Sequence, residues 1–155
     1  PGVPLSSYYA DCVPIFILDP VQRVIALAHA GWQGTALKIA RKVIEKMSQH
    51  FATNPRCCLA GIGPSIGPCC YEVDEPVIGR FRDNFPGGGL AEPAAPGKWR
   101  LNLWEANRLT LLEAGLQPDH ICTARLCTSC RRDLFFSYRA EEGRTGRMAS
   151  FMMLK

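Results

Sequence analysis

The stretch that most constrains this chain runs from Ala10 to Thr35, ADCVPIFILDPVQRVIALAHAGWQGT, two apolar segments broken by DPVQ and closed by glycines. Pro20 supplies the fixed φ wanted at the second turn position and Asp19 is a favoured first residue, so a type I turn and an antiparallel hairpin fit. Folding there pairs Leu18 with Arg23, Phe16 with Ile25, Pro14 with Leu27 and Cys12 with His29. Directly opposed residues have Cβ atoms roughly 5 Å apart and share a face. A thiol and an imidazole so placed suit two ligands of one metal ion, or a nucleophile and its base. A one-residue slip would part them. Both hairpin faces are apolar, with Val13, Ile15, Ile17, Val24, Ala26 and Ala28 on one and Phe16, Ile25 and Leu27 on the other, which places the hairpin inside a layered core. A plainer reading stays open, with Cys12 a small buried hydrophobe and His29 a hydrogen-bonded core residue.

With 155 residues the chain suits a single domain, 1–155, able to bury roughly 70% of its unfolded surface. A composition 47% hydrophobic and 21% charged excludes disordered and collagen-like classes. No apolar run approaches the ~20 residues of a membrane span and no signal peptide is recognisable, so we expect a soluble, cytoplasmic protein without a membrane partner. The formal charge is +4. Its basic excess gathers in Arg125, Arg131, Arg132, Arg139, Arg144 and Arg147, which suits an anionic small substrate as well as a solvated surface. Nucleic acid is not the expected partner, because no stretch interleaves basic and aromatic residues as a stacking platform would.

Eight cysteines do not resemble a secreted disulfide framework. Cys127 and Cys130 form a CxxC, but one such pair is weak evidence for zinc, and a four-cysteine site would have to recruit Cys69 and Cys70 from far away in sequence. The loop GIGPSIGPCCYEV, from Gly61, offers backbone NH groups of Gly63, Ser65, Ile66 and Gly67 that could cradle an anion; the alternative is a rigid crossover. It lacks the ending of a P-loop.

Elsewhere the spacing predicts a helix from Ala36 to about His50, capped by Thr35 and burying Leu37, Ala40, Val43, Ile44 and Met47. A strand is expected over Cys57 to Ile62, a helix capped by Asp74 to about Phe85, an exposed loop over Pro86 to Gly97, and a helix from Leu103 to Ala114 stopped by Gly115. Strands follow at His120 to Ala124, Leu134 to Arg139 and Arg147 to Leu154. This order is α+β rather than doubly wound.

Taken together, ADCVPI, AHAGWQGT, IGPSIGPCCYEV, LNLWEANRLTLLEAG and CTSCRRDLFFSYRAEEGRTGRMASFMML closely resemble the laccase-domain, or YfiH-like, family. Its members have been described as polyphenol oxidases and as zinc-dependent purine nucleoside phosphorylases. The resemblance implies a four-layer α/β/β/α sandwich with mixed sheets, and one metal held by two His and one Cys. Cys12 and His29 match two of those ligands. The other His belongs to an earlier Gln-Val-His-Gly type motif that this sequence does not contain, and neither His50 nor His120 is assigned its place. We therefore expect the chain to lack part of the family's N-terminal region, with water, a second copy of the chain or substrate filling the open coordination positions. Gln33 stands where the family commonly has Arg.

The function so implied is phosphorolysis of adenosine- or inosine-type nucleosides with zinc, alongside adenosine deamination. Cys12 and His29 would be catalytic, Arg139 would bind phosphate, and Ser65, Tyr71 and Ser137 would make polar contacts to substrate. A copper-dependent polyphenol oxidase is the alternative, although three histidines cannot build a His-rich four-copper cluster. Two further readings are a metal-free hydrolase, with Cys12 the nucleophile and His29 its base, and an inactive nucleoside-binding remnant.

Overall fold

The computed structural model describes all 155 residues, Pro1–Lys155. In chain order its elements are β1 (Leu5–Tyr9), β2 (Val13–Asp19), β3 (Val24–Ala30), α1 (Trp32–Ala36), α2 (Ile39–Phe51), β4 (Leu59–Ile62), β5 (Glu72–Asp74) and α3 (Glu75–Asn84). There follow β6 (Ala91–Pro93), β7 (Lys98–Leu101), α4 (Leu103–Glu113), β8 (Ile121–Thr123) and β9 (Met148–Met152).

The hairpin forms as β2 and β3, but two residues away from the expected register: Pro14 faces His29 and Asp19 faces Val24. The turn is the cause. A two-residue type I turn splays twisted strands, whereas a longer loop with a left-handed residue follows their twist. Here the loop is Pro20–Arg23, with Arg23 at φ 54° and the Asp19 Oδ1 accepting from the Val21 and Gln22 backbone NH groups at 2.9 and 3.0 Å. A shift of two preserves faces where a shift of one would have inverted them. Val13, Ile15 and Ile17 are accordingly fully buried, each worth about 1.5–3 kcal/mol of apolar burial.

This hairpin belongs to a mixed sheet of order β3-β2-β4-β8, in which β2 and β4 run antiparallel and β4 and β8 parallel. The helices pack on its fully buried face, where Ala40, Ile44, Met47, Leu103, Ala106 and Leu111 join Ile15, Ile17 and Ile62 in one core. On the other face lies a two-stranded ribbon of β1 and β9, packed mainly over β3. A third, small sheet, β5-β7-β6, is anchored by buried Val73 and Leu101. The class is α+β, as expected, with one mixed sheet and two antiparallel ones. No helix is long and apolar enough to cross a membrane.

Several local expectations fail for identifiable reasons. The helix expected from Ala36 is two helices: Thr35 lies inside α1, Gly31 is its N-cap, and Lys38 turns left-handed at φ 55° before α2, leaving Leu37 exposed. Lys38 is held there by Glu113 Oε2 at 2.7 Å and by the Phe85 ring 4.9 Å below its ammonium. Asp74 sits at the N-cap of α3 without a side-chain hydrogen bond. Part of the expected loop Pro86 to Gly97 is β6. The segment Leu134 to Arg139 is not a strand, because its NH groups serve turns and a carboxylate: Leu134 and Phe135 bond Arg131 O, and Arg139 N bonds Asp11. The last strand, β9, pairs with β1 at the opposite end of the chain.

Candidate active site and a cluster of cysteines

Cys12 lies just before β2 and His29 near the end of β3, and both line one cavity of about 420 Å³. The chain reaches it through a sharp bend: β1 ends at Tyr9, Asp11 takes a left-handed φ of 79°, and β2 begins at Val13. The bend is held by Asp11, which is buried. Its Oδ1 accepts from Thr128 Oγ1 at 2.6 Å, its Oδ2 from Arg139 N at 2.7 Å, and its carbonyl from Ile66 N at 3.0 Å. Two donors on the carboxylate and a third on the backbone carbonyl, all from distant segments, make a rigid junction. Gly31 completes the fit, since a Cβ there would stand 3.2 Å from Cys12 Sγ.

Behind His29 the end of β3 is tied to the helices by a buried relay. Asn107 Nδ2 donates to Thr35 Oγ1 at 3.0 Å, and Thr35 Oγ1 donates to Ala30 O at 3.4 Å. In front of it the Tyr9 ring lies tilted at 4.7 Å between centroids. Trp32, Tyr71, Tyr138 and two arginines, Arg139 and Arg147, line the rest of the cavity. Arg139 donates from Nη1 to Glu72 O at 2.7 Å and lies 5.1 Å over the Tyr71 ring.

Burial sets the protonation of these groups. It pushes the Cys12 thiol above its usual value, Asp11 adds to the rise and Arg147 opposes it. It holds the His29 imidazole below its usual value, so the ring is neutral near pH 7. The Tyr71 hydroxyl is pushed to about 12 by burial against the pull of Arg139. A protonated thiol beside a neutral imidazole is a poor nucleophile pair, since the thiolate is the reactive form. The same two groups suit a metal, which displaces the thiol proton and takes a neutral imidazole nitrogen.

As donors, then, Cys12 and His29 fit two positions around a soft or borderline metal. The one set of three or more His, Cys and carboxylate side chains gathered tightly enough for a single ion lies elsewhere, at Cys69, Cys70, Cys127 and Cys130. The remaining ligands of a Cys12–His29 centre would have to come from outside this set of side chains. His50 closes α2, and His120 Nδ1 stands 3.1 Å from Cys58 O; neither lines the cavity.

Of the other residues singled out in the sequence, Tyr71 and Arg139 line the cavity and Ser65 and Ser137 do not. Ser65 is fully buried, its hydroxyl accepting from Trp104 Nε1 at 2.7 Å and donating to Gly63 O at 3.4 Å. Ser137 is fully buried and its hydroxyl accepts from Ala140 N at 3.2 Å. Gln33 is exposed on α1, outside the lining. The supposed anion cradle is also taken up internally: Gly63 N bonds Pro14 O, Ser65 N bonds Leu126 O, Ile66 N bonds Asp11 O, and Gly67 N bonds Cys127 Sγ at 3.2 Å. The loop is a rigid crossover. Trp32 and Arg147, neither of them assigned a role from the sequence individually, also line the cavity. Trp32 sits in the AHAGW motif itself, and Arg147 is brought in by the β1–β9 pairing, one step beyond the Tyr9–Met148 pair.

A mixed sheet carries the Cys–His pair to the wall of an arginine- and tyrosine-lined cavity, and comparison supplies the family. The chain matches the family described as "Multi-copper polyphenol oxidoreductase laccase" over residues 1–155 and belongs to it. It is 43% identical to the purine nucleoside phosphorylase YlmD of Geobacillus stearothermophilus over 97% of this chain and 56% of that protein. It is 37% identical to the adenosine deaminase RL5 of an unknown prokaryotic organism, over 89% of this chain and 53% of that one. The crystal structure of the hypothetical protein YfiH of Bacillus licheniformis superposes with a TM-score of 0.96 at 44% identity, covering 100% of this chain and 59% of that chain. The chain thus spans little more than half the length of these relatives.

Proposed function

We propose that the cavity is a purine nucleoside phosphorolysis site for adenosine- and inosine-type nucleosides, with zinc as its metal and deamination of adenosine as a side reaction. The observation that carries the reading is the convergence on one cavity of a thiol, a neutral imidazole, two guanidinium groups and several aromatic rings. Its volume falls in the range of small-molecule sites. The names of the relatives support the same substrate class.

Cys12 Sγ and His29 would hold the zinc, which when bound supplies Lewis-acid polarisation of a substrate oxygen. Arg139 and Arg147 bind the phosphate; Arg139 spends only Nη1 on Glu72 O and keeps its other nitrogens for an anion. Tyr71 and Trp32 offer ring faces to the purine, and the Tyr71 hydroxyl stays protonated as a donor. An oxygen of hydrogen phosphate forms the new bond at the ribose anomeric carbon as the bond to the purine nitrogen breaks, and the proton that the phosphate gives up ends on the departing purine. The eight free thiols support a reducing, cytoplasmic setting.

The family's description favours a second reading, copper-dependent oxidation of phenols. With one imidazole and one thiol in the cavity the donor set is poor for a His-rich copper cluster. The test is chromatography of adenosine incubated with and without phosphate. Adenine and ribose 1-phosphate should appear only with phosphate, and Cys12→Ala should lower the rate at least ~100-fold, the scale of losing a few kcal/mol of transition-state stabilisation. Phosphate-dependent adenine release that survives Cys12→Ala would refute the assignment, and phenol oxidation tracking bound copper would replace it.

A further inference from the structure

Four thiols outside the cavity converge on one point. Cys69 and Cys70 lie in the loop between β4 and β5, Cys127 and Cys130 in the turn that follows β8, and their sulfur atoms all fall within 4.8 Å of one another. Cys130 Sγ stands 3.5 Å from Cys69 Sγ and 3.4 Å from Cys70 Sγ. These separations are too long for disulfides, whose sulfurs bond at about 2.05 Å. Four sulfurs placed tetrahedrally at about 2.3 Å from a zinc ion lie about 3.8 Å apart, within the observed spread.

Packing does not explain the gathering. Cys69 and Cys130 are exposed and Cys70 is only half-buried, whereas cysteines used as small hydrophobes belong in the interior. Nor are the loops free to have met by chance of conformation. The parallel pairing of β4 and β8 continues beyond both strands through a Ser65–Cys127 bridge, with Ser65 N bonding Leu126 O at 3.2 Å and Thr128 N bonding Ser65 O at 3.1 Å. The backbone NH of Gly67 points at Cys127 Sγ from 3.2 Å, the kind of donor that supports a thiolate ligand. Gly67 has to be glycine here: a Cβ would meet Trp104 at 2.6 Å and Cys127 Cβ at 3.2 Å.

We propose that Cys69, Cys70, Cys127 and Cys130 form a second, structural metal centre, a closed four-thiolate site selective for zinc and separate from the Cys12–His29 cavity. Binding Zn²⁺ displaces four thiol protons to solvent and leaves a centre of net charge −2. Arg100, which lines the same groove as Cys69, supplies countercharge, whereas the guanidinium of Arg131 is already paired with Asp133. The centre fixes the cavity wall, because Tyr71 follows Cys70 directly and Thr128, inside the CxxC, holds Asp11.

The experiment is metal analysis and X-ray absorption of Cys12→Ala, purified under reducing conditions and loaded with zinc alone. The expected result is one zinc per chain with four sulfur neighbours at about 2.3 Å, lost in Cys12→Ala/Cys69→Ser/Cys130→Ser. Because both serines replace exposed residues, circular dichroism should show the fold retained. Cobalt titration of Cys12→Ala, which leaves the cluster intact, should give the absorption of a tetrahedral thiolate site. Absence of zinc from Cys12→Ala, a nitrogen- or oxygen-rich coordination shell, or disulfides among the four cysteines under reducing conditions would overturn the proposal. None of these readouts depends on nucleoside turnover, so failure of the phosphorolysis reading leaves this one standing or falling on its own.

Discussion

Cys12 and His29 approach a cavity from one hairpin, while Cys69, Cys70, Cys127 and Cys130 meet from two loops about 60 residues apart, beyond a parallel strand pair. The first set is incomplete and faces open space. The second gathers four thiols and borders a smaller groove, about 230 Å³ against about 420 Å³. Structural zinc sites are closed by four protein ligands and catalytic ones keep a position open, so the two proposals assign chemistry to the first region and construction to the second. Swapping the damage is the sharpest way to break that division. Cys12→Ala should lower turnover at least ~100-fold with little change in Tm, whereas Cys69→Ser/Cys130→Ser should lower Tm and retain a measurable share of turnover. Equal effects of both variants on both readouts would erase the distinction.

Gly67→Ala sharpens it from the side of the cluster. Its Cβ would fall 2.6 Å from the Trp104 ring, and that ring is held by the bond from Nε1 to Ser65 Oγ. Overpacking of this kind costs about 1–3 kcal/mol, a fall in Tm of about 2–12 °C for a chain of this size. Zinc added to stripped protein should then restore less stability than it does in wild type. On the cavity side, Asn107→Ala removes the donor to Thr35 behind His29 and should cost about 1–3 kcal/mol in denaturant unfolding, while zinc binding at the four cysteines stays unchanged.

The contrast also explains what could be read from the sequence. Cys12 and His29 were visible because a hairpin is local, and a register error of two left both on the same face. The cysteine cluster is only weakly legible because its halves are joined by the β4–β8 pairing, with α3, α4 and a small sheet intervening. The placement of Arg147 is hidden for a related reason, since it reaches the cavity through strands at the two ends of the chain. The aromatic-rich run Leu134 to Arg139 reads as a strand, yet Arg139 N is claimed by the Asp11 carboxylate. Nothing local in GIGPSIGPCC reveals that its NH groups are occupied by Pro14, Leu126, Asp11 and Cys127.

Asp11 is where the two regions touch, and it permits the finest test. One of its oxygens holds Thr128 inside the CxxC and the other holds the backbone of Arg139 at the cavity. Asp11→Ala strips both bonds and puts alanine at φ 79°, a conformation it resists, so a loss of about 2–4 kcal/mol is expected from two orphaned donors and the strain. Asp11→Asn is gentler. Asn tolerates the left-handed region, its oxygen can accept from Arg139 N, and its NH₂ can donate to the Thr128 hydroxyl with the direction of that bond reversed. The junction survives and only the charge goes. Burial first, and Asp11 second, keep the Cys12 thiol above its usual value. Removing the negative charge therefore makes the thiolate easier to form, and the pH profile of Cys12 alkylation in metal-free protein should move to lower pH. Arg147→Gln should move it the other way, because Arg147 favours the thiolate. Both shifts should shrink with added salt. If Asp11→Asn left the profile in place while Tm held, the carboxylate would be a mechanical pin alone, and the cavity and the cluster would be joined by hydrogen bonds without electrostatic coupling.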